Sequence, residues 1–487
     1  MRTFLSKTQY LRGLQCEKSL WLLKNSPGEA APPDRSRLDM FRTGKEVGEL
    51  AKRLFPGGVE ILYRDNLEHM VRETGEALSK GAGVIYEAAF RFDDLFVMAD
   101  ILRKVEGGWQ VYEVKSSTSV KDVHIDDLAV QSYVLRGAGV NLTGMNLVTI
   151  NTGYVRREAI EPAELFNITD VTGEVIKNAG EVKGRLKSMR EALGGACPEI
   201  DIGPQCTDPY ECDFIPFCWA HIPRKSVFSL RGRGADKFAL YREGKISFTD
   251  LDLAALNDAQ RMQVEAELEN TVTLDKEAIK SFLSTLHYPI FFLDFETLRD
   301  AVPPFPGTSP YEQIPFQYSL HSIETEGGEL RHFEFLAREG RDEREEMART
   351  LTERIPEGAT VVAYNMGFER MVLKKLAGDF PGYAKGLMRI SADMQDLMVP
   401  FKKRQYYTRE MEGSYSLKNV LPALLPEFDY SALNITGGSD ASIIYKNLSD
   451  ITDEVKRGAV RRDLLEYCRM DTLALLRLLE ELRRLAK

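Results

Sequence analysis

The run Ile290-Phe291-Phe292-Leu293-Asp294-Phe295-Glu296-Thr297 constrains this chain more than any other stretch. Apolar residues lead into an Asp-x-Glu pair, with Pro289 before the run and the turn residues Asp300 and Pro303-Pro304 after it. A short apolar run bounded in this way predicts a buried strand. Side chains alternate faces along a strand, so Asp294 and Glu296 share one face and Phe295 takes the other. Two carboxylates side by side at a strand end repel each other and resist desolvation. Mg2+ or Mn2+, which take hard oxygen ligands, would relieve both costs. A strand end with two solvated acids is the alternative.

A chain of 487 residues is too long for one core. The patterning predicts an N-terminal domain over 1–223, a helical connector over 224–287 and a C-terminal domain over 288–487. With 43% apolar and 28% charged residues the composition is that of an ordinary soluble protein, and no apolar run reaches membrane-span length. The start, Met1-Arg2-Thr3-Phe4-Leu5-Ser6-Lys7-Thr8, has no apolar signal region, so the expected location is cytoplasmic. A net charge of −10 is not that of a protein that coats nucleic acid. It is compatible with a nuclease, whose metal ligands are acidic and whose substrate needs only a local basic groove. Six cysteines in a cytosolic chain of this size argue against a disulfide framework.

In the N-terminal half, Ser6 is placed to cap a helix over 5–24 that contains Cys16, and a second amphipathic helix is predicted over 36–55. Three strands follow over 84–90, 95–102 and 109–115, the last two joined by Glu106-Gly107-Gly108. Asp100 lies on the second strand, and Glu113 and Lys115 share a face of the third. Asp100 and Glu113 can bind magnesium, which activates a water for attack on phosphorus. Lys115 beside them can orient that water and offset charge on the phosphate. Cross-strand charge pairing is the other use of a Glu-x-Lys strand.

This arrangement resembles the PD-(D/E)XK nuclease core. The RecB-like members imply an acid on the preceding strand, matched here by Glu87, and a substrate-contacting Gln/Tyr motif on the next helix, matched by Gln131-Ser132-Tyr133. The cysteines extend the resemblance: Cys16 precedes the core, and Cys206, Cys212 and Cys218 follow it with gaps of five residues. That layout is similar to iron–sulfur nucleases of the AddB and CRISPR-associated RecB-like type. It implies that these four cysteines hold a 4Fe–4S cluster stapling the two ends of the domain. The first downstream gap is wider than in those relatives. Structural zinc, which favours gaps of two to four, and four unconnected thiols are the alternatives. RecB-like enzymes also place a metal-binding His in their first motif, where Gly44-Lys45-Glu46-Val47-Gly48-Glu49 has none. Either Glu49 substitutes, or Asp100, Glu113 and the Val114 carbonyl hold the metal alone. Cys197 and Cys468 read as buried small hydrophobes.

The C-terminal half supplies partners for the opening pair. Residues 360–365 predict a strand ending at Asn365, and Gly367 starts a helix with Glu369 on its first turn. A final helix carries Tyr467 and Asp471, four apart on one face. In this order the motifs resemble those of DnaQ-like (DEDD) exonucleases with an RNase H fold, tyrosine subgroup. The resemblance implies Asp294, Glu296 and Asp471 as two-metal ligands, Glu369 as the fourth acid and Tyr467 as the group that positions the attacking water. Most relatives have Asp where Glu369 stands, and Asp396 is the competing candidate. Residues 402–407 and 413–418 interleave basic and aromatic side chains that could track phosphates and stack bases, with a solvated loop as the alternative for the first. The Ser416-Leu417-Lys418 segment is similar to one in polymerase proofreading domains.

Taken whole, the chain is similar to a bacterial family described as a domain of unknown function that fuses these two nucleases. The expected class is therefore α/β: a RecB-like nuclease domain with an iron–sulfur staple, a helical connector and a DnaQ-like domain. The expected activity is metal-dependent hydrolysis of DNA, at single strands or ends and 3'-5' in the C-terminal head, in repair, recombination or defence. An RNA-processing exonuclease and a nucleic-acid-binding scaffold with one degenerate site are the alternatives.

Overall fold

Strands and helices alternate along the chain in the computed structural model, which describes residues 4–428 and 433–487. They gather into two units of mixed α/β structure, Met1–His221 with Asp300–Tyr311, and Ile222–Arg299 with Glu312–Lys487.

The first unit contains β1 (Leu5–Ser6), β2 (Val59–Glu60), β3 (Val84–Phe92), β4 (Leu95–Val105), β5 (Gly108–Val114), β6 (Leu142–Ile150) and β7 (Phe166–Asp170). They form one sheet in the order β2-β3-β4-β5-β6-β7, with β1 paired to β4. The strands expected from sequence are β3, β4 and β5. Asp93 and Asp94, both at positive φ, make the tight β3–β4 turn whose twist suits a hairpin. The helix Asp122–Gly137 carries the chain from β5 to its parallel neighbour β6. Its Leu128 and Val134 pack in one core with Val97, Leu102, Val111 and Leu147 of the sheet. The segment Asp300–Tyr311 closes on residues of this unit. Arg156 N donates to Thr308 O (3.0 Å), Gly307 N donates to Arg156 O (2.7 Å), and Ala301 packs with Val47, Tyr86 and Tyr112.

The single helix expected over 5–24 is two helices, Lys7–Gln15 and Glu17–Asn25. Cys16 is extended (φ −163°, ψ 114°) and breaks the run, so it stands at a corner and not inside a helix. Ser6 does cap the first helix, in a capping box with Gln9.

The second unit contains β8 (Thr273–Leu274), β9 (Ile290–Leu298), β10 (Ile314–Ile323), β11 (Leu330–Leu336), β12 (Thr360–Ala363), β13 (Met394–Asp396) and β14 (Tyr406–Tyr407). Five of them form a sheet in the order β11-β10-β9-β12-β13, antiparallel up to β9 and parallel from β9 on. The central strand β9 is the opening run of the sequence. Phe291, Leu293 and Phe295 enter the core on one face of this sheet, and Ile290 and Phe292 enter the core on the other. The second core also holds Leu475, Leu478 and Leu482 of the last helix, Glu454–Ala486. Strand parity therefore aims Asp294 and Glu296 at the face that this helix covers. Phe292 is fully buried there. Phe292→Ala is expected to cost about 3–5 kcal/mol of stability, read as a lower urea midpoint at an unchanged slope.

Residues 224–287, expected as a connector, belong to the second unit. Phe248, Leu256 and Val264 form a small core with Leu230, while Ala266, Ile279 and Leu286 enter the core of Phe292. The first set is buried by local packing, and β8 in the same stretch pairs with β14, a strand from far along the chain. Among the described residues no helix is long and apolar enough to cross a membrane.

Candidate metal centres

In the first unit, Asp100 and Glu113 are side by side on β4 and β5, one step beyond the paired Ile101 and Tyr112. Asp100 Oδ2 accepts the Val114 N–H (2.7 Å). Glu113 Oε1 takes two ammonium groups at 2.8 Å, those of Lys115 and Lys7. Both lysines also reach Asp127, at 2.6 Å and 3.0 Å. Gln131 Nε2 donates to Glu113 (2.7 Å) and to Asp127 (2.9 Å), and its buried Oε1 has no hydrogen-bond partner. Burial, then Glu113, pushes Asp100 up to about 8. Burial would raise Asp127 as well, but Lys115 and Lys7 outweigh it and hold this carboxyl well below the usual range. Burial raises Glu87, against the pull of Lys52. Glu87 lies in the left-handed region (φ 55°) opposite Asp100, where one β3–β4 pair is missing from an otherwise unbroken register, a strained backbone of the kind found at functional sites.

Two members of this set, Lys7 and Asp127, escaped the sequence reading. Asp127 had a signal, since it lies four residues before Gln131 on one helix face. Lys7 had none, being 106 residues from Glu113. Glu49, the candidate substitute for a missing ligand, is instead exposed and paired with Lys52 (2.7 Å). Tyr133 donates to Asp93 at the β3–β4 turn (2.9 Å), away from the acids.

In the second unit, ligand atoms of Asp294, Glu296 and Asp471 lie within 4.8 Å of one another. Asp294 and Glu296 come from one face of β9, and Asp471 comes from the last helix. Thr472 fixes that helix against β10. Its hydroxyl meets Ser319 Oγ at 2.7 Å and His321 Nδ1 at 2.8 Å. Ser319 is the strand partner of Asp294. Among the described residues, no lysine or arginine forms an ion pair with Asp294, Glu296 or Glu369. Burial, Asp471 and Glu296 push Asp294 well above the carboxylate range; burial and Asp471 do the same to Glu296, with Lys418 opposing. Glu369 is 2% exposed and is pushed up to about 8 by burial first and Asp396 second; its Oε2 has no hydrogen-bond partner. Tyr467 is buried and hydrogen-bonds Asp471. An added Cβ on Gly438 would come 3.2 Å from Glu296 Oε2, so the start of the helix Gly438–Lys446 closes over that carboxylate.

Asp396, the competitor of Glu369, spends one oxygen on the backbone N–H groups of Asn365 (2.9 Å) and Met398 (3.0 Å). Cys468, read as a buried hydrophobe, is buried but places its thiol 3.5 Å from Asp294 Oδ2. Cys197, read the same way, is only half-buried. Tyr406 and Tyr407, read as stacking platforms or part of a solvated loop, are buried in β14, whereas Tyr415 is exposed.

Cys16, Cys206, Cys212 and Cys218 line one small cavity of about 20 Å³, and none is in a disulfide. The corner at Cys16 brings it there, and Cys212 N donates to Cys206 O (2.9 Å). Ser19 Oγ lies 3.2 Å from Cys212 Sγ, and Arg12 links Ser19 (3.0 Å) to Asp213 (2.6 Å). Burial raises the Cys16 and Cys218 thiols, and each is raised further by other cysteines of the set.

The family described as a domain of unknown function (DUF2779) matches residues 291–416, a stretch that holds Asp294, Glu296 and Glu369 but not Asp471. No curated protein and no solved structure matches the chain.

Proposed function

We propose that this chain is a metal-dependent nuclease with two acid sites, hydrolysing phosphodiester bonds of DNA at single strands or ends. The observation that carries the proposal is the gathering of Asp294, Glu296 and Asp471 within 4.8 Å, with the orphaned Glu369 oxygen nearby. Asp294 and Glu296, pushed above their usual range by burial and by neighbouring acids, and with no ion pair to a lysine or arginine among the described residues, fit a hard divalent cation. Mg2+ or Mn2+ bound there would supply an activated water and offset charge on the phosphate. Asp294, Glu296 and Asp471 would hold the metal, and Tyr467, hydrogen-bonded to Asp471, would orient the attacking water. The mixed sheet, with two acids on its central strand and the third on the last helix, supports an RNase H-like, DnaQ-type 3'-5' exonuclease.

Asp100, Glu113 and Lys115 on adjacent strands, joined by Gln131, support a RecB-like PD-(D/E)XK site in the first unit. There Asp100 and Glu113 would hold the metal, and Lys115 would orient the water. Four free thiols lining one cavity, one from before the nuclease core and three from after it, support a 4Fe–4S cluster, with structural zinc as the alternative.

The test is cleavage of labelled single-stranded and duplex DNA, and of RNA, by the purified chain with Mn2+. DNA cleavage is expected to fall in part with Glu113→Ala or Asp294→Ala and entirely with both. Cleavage of RNA alone would make the chain an RNA-processing enzyme. No cleavage of either would leave a binding scaffold and sink the proposal.

A further inference from the structure

Lys115 alone already pairs with both Glu113 and Asp127, yet a second ammonium is buried against the same two carboxylates. Lys7 Nζ is 2.8 Å from Glu113 Oε1 and 3.0 Å from Asp127 Oδ1. It is delivered there by β1, which pairs with β4, and by the capping box that starts the helix Lys7–Gln15. Burying an ammonium costs several kcal/mol before pairing, so a position needed only for packing would take an apolar residue. The two lysines are more exposed than the carboxylates they pair with: their side chains are 19% and 23% exposed, against 2% for Glu113 and 6% for Asp127. Around Glu113 and Asp127 the outer layer is cationic.

Resting on the nuclease reading of this unit, we infer that Lys7 is a further catalytic residue that receives the scissile phosphate. Charge decides the matter. In the metal-loaded site, where every carboxylate is ionised, Lys7 and Lys115 carry +2 and Asp100, Glu113 and Asp127 carry −3, a sum of −1 before the ion is counted. A divalent ion brings the set to +1, and one phosphodiester brings it to zero. Without Lys7 the ion alone neutralises the set, and nothing remains to hold the phosphate. Lys7 therefore opposes metal binding and favours substrate binding. The unpartnered Gln131 Oε1, fully buried beside Glu113 and Asp127, is a further acceptor awaiting a donor from water or ligand.

That opposition of signs is the test. The full chain carrying Asp294→Ala, which silences the second site, is titrated with MnCl2 by calorimetry and with a labelled single-stranded oligonucleotide in CaCl2. Adding Lys7→Ala is expected to tighten Mn2+ binding by about threefold or more and to weaken oligonucleotide binding by about tenfold. Its salt dependence should fall by about one phosphate contact, and Lys7→Arg should restore the oligonucleotide affinity. If both affinities fall together in Lys7→Ala, or the oligonucleotide affinity and salt slope do not change, Lys7 is a structural ion-pair partner and the inference fails. If the parent protein binds no Mn2+, the nuclease reading of this unit fails first, and the role of Lys7 fails with it.

Discussion

Asp294→Ala is expected to lower the second unit's cleavage of single-stranded DNA by about a thousandfold, about 4 kcal/mol in the barrier. The assay is made in a Glu113→Ala background so that the first site contributes nothing. Asp294 has the most to lose because burial, Asp471, Glu296 and Glu369 all act on its one carboxylate. Removing it leaves any bound cation one ligand short, and raising the Mn2+ concentration should recover little. A fall of less than tenfold would mean that these acids are not where the chemistry occurs.

The same carboxylates set a pH signature. Glu369 moves from an ordinary value of 4.5 to about 8, and Asp294 and Glu296 move up as well. A carboxyl raised on folding binds more protons in the folded state than in the unfolded one. The stability it contributes is full below the unfolded value and is lost as pH rises through the folded one. Metal-free protein should therefore melt at progressively lower temperature as pH rises from about 4.5 to about 8. Mn2+, which competes with those protons, should bind more tightly and restore more stability across the same window. Asp294→Ala should reduce the slope while removing the second unit's share of cleavage. A metal-free melting temperature that rises with pH would contradict the arrangement of like charges.

What could be read beforehand followed the range of the physical pattern. Asp294 and Glu296 were legible because strand alternation is a period of two, and Tyr467 and Asp471 because helix spacing puts them on one face. Strands β3, β4 and β5 were legible from apolar runs punctuated by glycine. Long-range pairings were not. Lys7 reaches Glu113 across 106 residues, and no local pattern announces it. Tyr406 and Tyr407 looked like exposed platforms because their strand partners, Leu274 and Thr273, come from far upstream. Core contacts of Ala266, Ile279 and Leu286 with Phe292, equally long-range, tie residues 224–287 to the second unit. The break at Cys16 carries neither glycine nor proline, so only its extended backbone reveals it. The network of Ser319, His321 and Thr472 depends on two elements meeting, and none of the three residues is unusual alone.

Cys212→Ser is expected to abolish the brown colour and bound iron of protein purified without oxygen, and to lower the first unit's melting temperature. Thiolates are the ligands that iron–sulfur clusters require, and a serine hydroxyl is a poor replacement. The structural consequence follows from where Cys212 lies. It belongs to the segment that returns to the N-terminal helices, with Ser19 as its neighbour 193 residues earlier in the chain. Cross-linking a loop of that size is worth about 5 kcal/mol in chain entropy, several times what a salt bridge such as Arg12–Asp213 contributes at a partly exposed site. The loss should therefore exceed that from Arg12→Met, and Cys197→Ser, outside the cavity, should change neither iron nor melting. Stoichiometric zinc in place of iron would overturn the cluster reading while keeping the staple. Unchanged melting in Cys212→Ser would remove the staple itself, leaving Ser19, Arg12 and Asp213 to hold the two ends of the unit together.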